Sequence, residues 1–257
     1  MNNKLVAVVS GMPFSGTTYL SRIICSHPNI DSGFECGMLF EESPKLFTKR
    51  KKFYNWMMSH EKPYNWKLSS EEMNYICDTD SFYTAYDRIV ETCHLFTQNK
   101  ANLIIDKTPA YIYRLRNIMT KIDKTPFIIV KKDPIYQYSS YKNRGKNMDD
   151  FITLYKKQIA SINRILNRPI LKNRLLIVNF ADLHTRRERS IEEIFSFISN
   201  FSNINFSITM IPAMIESIES DITSNVKKLR KKYNYKTELM LSKTNLTNHE
   251  LSVLTEL

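Results

Sequence analysis

An undivided apolar run, Leu5-Val6-Ala7-Val8-Val9, leads into Gly11-Met12-Pro13-Phe14-Ser15-Gly16-Thr17-Thr18 and then into an amphipathic stretch from Thr17 to Ser26. An apolar run without polar alternation reads as a strand buried on both faces, as in a parallel sheet. Glycines let the backbone after it curl, so that successive N–H groups can point at one anion. A helix opening at that point adds unpaired donors and partial positive charge, and Thr17 and Thr18 add hydroxyls. Strand, glycine loop and helix form the first half of a βαβ unit. The Gly-x4-Gly spacing is that of a nucleoside-triphosphate loop, which continues in Lys. Thr17 stands where that lysine would be, and this weakens the case for a magnesium-dependent kinase. A glycine turn that holds no ligand is the plainer alternative.

The same alternation recurs. Asn102 to Ile105, Pro126 to Val130 and Leu175 to Val178 are further apolar strand candidates, and each precedes a helical pattern. Pro109 suits a first helical turn, with the periodicity running from Tyr111 to Ile122. A short helix is expected after Asp133-Pro134 and an amphipathic one from Ile191 to Ile198. Strands alternating with helices predict an α/β fold, a doubly wound parallel sheet flanked by helices. Residues 40–100 interrupt the pattern with Phe40, Phe47, Phe53, Tyr54, Trp56, Tyr64 and Trp66, and 71–98 reads as mostly helical. We expect a helical insertion over the carboxyl edge of the sheet, where ligands of such folds bind, although aromatics that simply pack would look the same. Residues 211–257 read as a helical, basic tail, with Thr247-x-x-Glu250 as a capping box for a last short helix. At 257 residues the chain suits one domain, residues 1–257.

Charge points to an anionic partner. The formal net charge is +11, with local runs at Lys49 to Lys52, Arg186 to Arg189 and Lys227 to Lys232. Solvated faces carry such runs equally well. No nucleic-acid motif accompanies them. The four cysteines form no Cys-x-x-Cys pair and no disulfide framework, and the five histidines show no metal-ligand spacing, so no metal is expected. No run is long enough for a signal core or a membrane span. The composition, rich in Lys, Asn and Ile, predicts a bacterial, cytoplasmic protein.

Pro13-x-Ser15-Gly16-Thr17-Thr18 after a strand resembles the 5′-phosphosulfate loop of sulfotransferases that use 3′-phosphoadenosine 5′-phosphosulfate (PAPS). Ser26-His27-Pro28-Asn29-Ile30 resembles the His-Pro segment that ends their first helix. Lys132-Asp133-Pro134, with Ser140 eight positions after Lys132, is similar to their 3′-phosphate motif. Asp106-Lys107-Thr108-Pro109 and Val178-Asn179-Phe180-Ala181-Asp182-Leu183 resemble two further strand ends. The likeness runs from about residue 4 to 200. It implies a P-loop-like sulfotransferase fold, with PAPS as donor and an acceptor hydroxyl or amine. It also implies nucleotide contacts from Gly11, Pro13, Phe14, Ser15, Gly16, Thr17, Thr18, Lys132 and Ser140. A 3′-phosphate needs a cation and hydroxyls. Lys132 in place of the usual Arg keeps the charge and loses the bidentate fork.

One position departs from the pattern. The family carries Lys or Arg before Ser-Gly-Thr-Thr, where it steadies the leaving phosphate, and this chain carries Phe14. Lys107 is the first candidate for the missing cation, Arg50 and Lys52 the next. A nucleotide-binding protein with impaired catalysis, or a P-loop kinase, are the alternatives. Glu35, in Gly33-Phe34-Glu35, stands where tyrosylprotein sulfotransferases hold their catalytic glutamate and suits a general base. His27 reads as structural, with His60 a weak second base.

Overall fold

The computed structural model describes residues 3–61, 66–220, 243 and 245–257. Tyr64, the basic run Lys227 to Lys232 and much of the expected 211–257 tail lie outside the described residues. Five strands, β1 (Leu5–Ser10), β2 (Ile30–Asp31), β3 (Leu103–Lys107), β4 (Phe127–Lys131) and β5 (Leu175–Asn179), form one sheet in the order β2-β3-β1-β4-β5. Every neighbouring pair is parallel. The apolar runs thus become strands as expected. The two-residue edge strand β2 is an addition, too short to leave a hydropathy pattern.

All six residues of β1 are buried, as a strand covered on both faces requires. Leu5 and Val8 join a core on one face with α3 (Ser70–Cys77), α4 (Phe82–Thr92), α5 (His94–Asn99), α6 (Leu115–Lys121) and α8 (Met148–Leu166). Val6, Ala7 and Val9 join the other face with α1 (Thr17–Cys25), α11 (Arg187–Ser199) and α12 (Ile211–Ser220). Helices on both faces of a parallel sheet are the doubly wound arrangement. Between β2 and β3 the chain adds α2 (Lys51–Met58) before α3 to α5. Phe47 and Trp66 of this stretch are fully buried, so those two aromatics are core. The helix expected from Pro109 begins as a 3-10 segment, Pro109–Arg114, before α6. No helix among the described residues is long and apolar enough to cross a membrane.

Two elements, α7 (Pro134–Lys142) and α10 (Asp182–Thr185), follow the carboxyl ends of β4 and β5. In α7, Pro134 takes the first turn and Asp133 caps it by accepting from the N–H groups of Ile135 and Tyr136. The short α9 (Pro169–Lys172) and α10 (Asp182–Thr185) lead into and out of β5. The last helix, α13 (Asn248–Thr255), carries the expected capping box, with Thr247 N donating to Glu250 Oε2 and Glu250 N to Thr247 Oγ1. Glu250 also clamps α13 onto α7: Lys142 Nζ donates to it at 2.8 Å and Tyr138 Oη at 3.0 Å. Burial works against its ionisation, but the hydrogen bonds from Lys142, Thr247 and Tyr138 outweigh this and hold its pKa down to about 2. A depressed carboxylate stabilises the fold above its unfolded pKa of about 4.3, and loses that contribution as pH falls toward the folded value. Glu250→Ala is expected to cost about 1–2 kcal/mol at pH 7, or about 3–6 °C in Tm. The gap to the parent should narrow as melts are taken from pH 5 toward pH 2.

Candidate functional site

The loop Gly11–Thr18 is shaped by contacts from the front and from behind. Gly16, the N-cap of α1, has φ +102°, a left-handed conformation, and a Cβ there would lie 2.2 Å from the Phe180 ring. Only glycine meets both demands. Behind the loop, Met12 N donates to Gln158 Oε1 at 2.8 Å, and Gln137 Nε2 donates to Pro13 O at 2.9 Å. Ser15 is fully buried, and its Oγ has no hydrogen-bond partner among the described residues. Phe14 also sits at positive φ, +67°, with its ring edge-on to Tyr141 at 5.7 Å.

A cleft of about 710 Å³ opens in front of this loop, at the carboxyl edge of the sheet. Of the residues expected from the sequence, Pro13, Phe14, Gly16, Thr17, Thr18, Lys132, Ser140 and Glu35 line it. Gly11 and Ser15 are buried and are not among its lining residues. The cleft wall also includes Tyr19, Arg22, Lys52, Phe53, Arg144 and Phe180. Four cations and one carboxylate therefore face the same space. A groove of about 750 Å³, carrying Arg116, Arg164 and Arg168, contains none of the loop residues and no acid.

Lys132 follows β4 and lies 4.8 Å from the Phe180 ring centre and 5.7 Å from that of Tyr136. Ser140, two turns into α7, donates to Tyr136 O at 3.2 Å. Nearby, His184 stacks on Tyr19 at 4.4 Å. Burial, helped by the charges of Arg187 and Lys132, lowers its pKa to about 4, so its ring is neutral at pH 7.

Glu35 is positioned by a buried hydrogen-bonded hub. Asp106, on β3, accepts from Thr108 Oγ1 at 2.7 Å, from Tyr111 Oη at 2.8 Å and from Tyr86 Oη. Thr108 Oγ1 accepts from Gly37 N at 3.1 Å, and Tyr111 Oη accepts from Leu39 N at 3.1 Å. Trp66 Nε1 donates to Phe34 O at 3.0 Å, and its ring covers Gly33 so closely that a Cβ would lie 2.0 Å away. The segment carrying Glu35 is thus tied on both sides. Lys107 Nζ stands 4.0 Å from Glu35 Oε1 and 4.7 Å from the Phe34 ring centre. Burial pushes the Glu35 carboxyl above the usual carboxylate range, against the pull of Lys107 and Lys52. Burial likewise lowers the Lys107 ammonium, against the pull of Glu35 and Asp106.

The alternative sources of positive charge separate in space. Lys107 is buried and is not among the lining residues. Arg50 pairs with Glu41 and faces Phe40, away from the cleft lining, whereas Lys52 lines it with Nζ 4.6 Å from the Trp56 ring centre. His60 is exposed and is not among the lining residues. His27 is buried: it accepts from Asn29 N through Nδ1, which leaves Nε2–H facing Asn205 O at 3.2 Å, a structural arrangement.

Residues 7–200 match the model of the sulfotransferase family. The chain belongs to that family. Among curated proteins none matches it in sequence. The sulfotransferase domain of the Synechococcus PCC 7002 olefin synthase shares its fold, with a TM-score of 0.56 at 19% identity over 88% of this chain and 81% of that one. A sulfotransferase domain from the curacin biosynthetic pathway has a TM-score of 0.54 at 15% identity over 84% and 78% of the two chains. The sequence reading did not single out Arg22 or Arg144 in this chain. Arg144 was within reach, since it lies only four residues after Ser140, in the turn that follows α7.

Proposed function

We propose that this chain transfers a sulfuryl group from PAPS to an acceptor hydroxyl or amine, with Glu35 as general base. One observation carries the reading. The glycine loop, the α1 amino terminus, Lys132, Ser140 and an acid of raised proton affinity all face one cleft at the carboxyl edge of a parallel sheet. The residues present fit the donor. The 5′-phosphosulfate would meet the N–H groups of Gly16 to Thr18 and the two threonine hydroxyls, and the orphaned Ser15 Oγ offers the loop one more. The 3′-phosphate would meet Lys132 and Ser140. Tyr19 and Phe180 give the cleft aromatic surface beside them.

PAPS supplies the activated sulfuryl group and a bisphosphate leaving group. The acceptor oxygen or nitrogen forms a bond to sulfur while the bond from sulfur to the 5′-phosphate oxygen breaks. The acceptor proton passes to a Glu35 carboxylate oxygen, and 3′-phosphoadenosine 5′-phosphate (PAP) departs. A base whose pKa is raised toward neutrality is better matched to this transfer than an ordinary surface carboxylate. Lys107, behind Glu35, supports the carboxylate with its charge and so acts as a positioning residue. Lys52 and Phe53 line the cleft on the side of the helical segment between β2 and β3, where the acceptor would enter.

The test is a thermal-shift titration with PAP, with ATP and magnesium as control. Saturation at 100 times Kd should add about 2.7 kcal/mol to stability. Lys132→Ala and Ser140→Ala should each weaken PAP binding by about tenfold or more, and leave binding of the 3′-dephospho analogue AMP nearly unchanged. A shift with magnesium ATP alone would turn the assignment toward a nucleotide kinase.

A further inference from the structure

The residues from Gly11 to Thr18 include no cationic side chain. A doubly charged 5′-phosphosulfate there would rest on backbone dipoles and hydroxyls alone, yet the 5′-phosphate is where negative charge grows as its bond to sulfur breaks. Fixed cations contribute most where charge develops. Phe14 gives no charge, but its ring carries one: the Arg144 guanidinium lies 4.2 Å from the ring centre. Tyr141 meets the same ring edge-on, so Phe14 is held between Tyr141 and Arg144, both from the α7 region. Arg144 Nη1 donates to Ser140 O at 2.9 Å, which fixes the guanidinium relative to the helix. No other hydrogen bond of the Arg144 side chain occurs among the described residues. A guanidinium over the face of an aromatic ring spends none of its N–H donors on that contact, so those left by Ser140 O are available to an anion. Arg144 also lines the cleft beside Gly16, Thr17 and Thr18.

We infer that Arg144 supplies the cation for the 5′-phosphosulfate of the donor, delivered to the loop by stacking on Phe14. The inference rests on the donor reading above. Lys107, the first candidate from the sequence, is turned to Glu35 instead. Phe14 is then a positioning residue whose left-handed backbone sets the ring where the guanidinium can lie on it.

The experiment compares three probes, PAP, adenosine 3′-monophosphate and AMP, by calorimetric titration of the full chain. Arg144→Ala should weaken binding of the two ligands with a 5′-phosphate, PAP and AMP, by about 10–100-fold, and leave adenosine 3′-monophosphate within about twofold. Lys132→Ala should give the opposite pattern, with PAP and adenosine 3′-monophosphate weakened and AMP spared. Phe14→Lys in the Arg144→Ala background should restore much of the 5′-phosphate affinity, because it places a cation at the same point of the loop. Equal losses for all three probes, or none for any, would overturn the role of Arg144. If the parent chain binds none of them, the donor reading itself fails, and this outcome differs from either of those.

Discussion

Glu35→Gln will lower turnover by about 10²–10⁴-fold while PAP affinity stays within about twofold of the parent. The amide keeps the size of the carboxyl and its tether through Gly33, Phe34 and Gly37, so the cleft should keep its shape. What it loses is the capacity to take the acceptor proton. The measurement is release of PAP from PAPS, with water and a set of simple phenols and amines as acceptors. The parent rate should rise with pH through the Glu35 pKa, which burial holds above the ordinary carboxylate range, and the variant should lose that limb of the profile. A variant as fast as the parent would remove Glu35 from the chemistry and leave the donor site standing.

The second large effect concerns stability. Asp106→Ala should cost about 3–5 kcal/mol in a urea titration, because it strands the hydroxyls of Thr108, Tyr111 and Tyr86 in the core at once. Burial raises the Asp106 pKa, against the hydrogen bonds of those three residues. Asp106→Asn keeps acceptor capacity and should cost less. Gly37 N and Leu39 N hang from Thr108 and Tyr111, so even a folded Asp106→Ala protein should lose turnover through a displaced Glu35. A loss under about 1 kcal/mol would mean that the hydroxyls find other partners.

Much of the sheet was legible because strands buried on both faces leave undivided apolar runs. β1, β3 and β4 announce themselves this way, and the edge strand β5 carries a similar apolar run although only its Val178 is buried. The edge strand β2 does not, since two residues have no period. The long helix α8 also escaped the reading. Its buried face includes Gln158 and Ser161 beside Phe151, Tyr155, Ile162 and Ile165, and those polar positions blur the apolar stripe. Gln158 is buried for a reason that no local pattern carries, namely to hold Met12 N. Within the candidate site, the loop residues were legible because a phosphate-binding turn is local chemistry. The pairing of Lys107 with Glu35 was not, since a parallel crossover brings together residues that share no sequence neighbourhood. The role given above to Arg144 lay between these cases: its spacing from Ser140 was visible, but its contact with Phe14 was not.

The glutamines behind the loop carry a consequence for how the protein is made. Gln137 lies 124 residues after Pro13, and Gln158 lies 146 residues after Met12. At ordinary rates of synthesis, about 5–20 residues per second, the loop emerges from the ribosome roughly 7–30 seconds before its second brace exists. Until then the glycine turn lacks both glutamine braces and has only its own Ser15 N to Met12 O bond and the contacts to Pro109 O, and a nascent chain should gain little protection from nucleotide. On the proposed reading, capacity for the donor would arrive late, when α7 and α8 dock and both braces close on the loop.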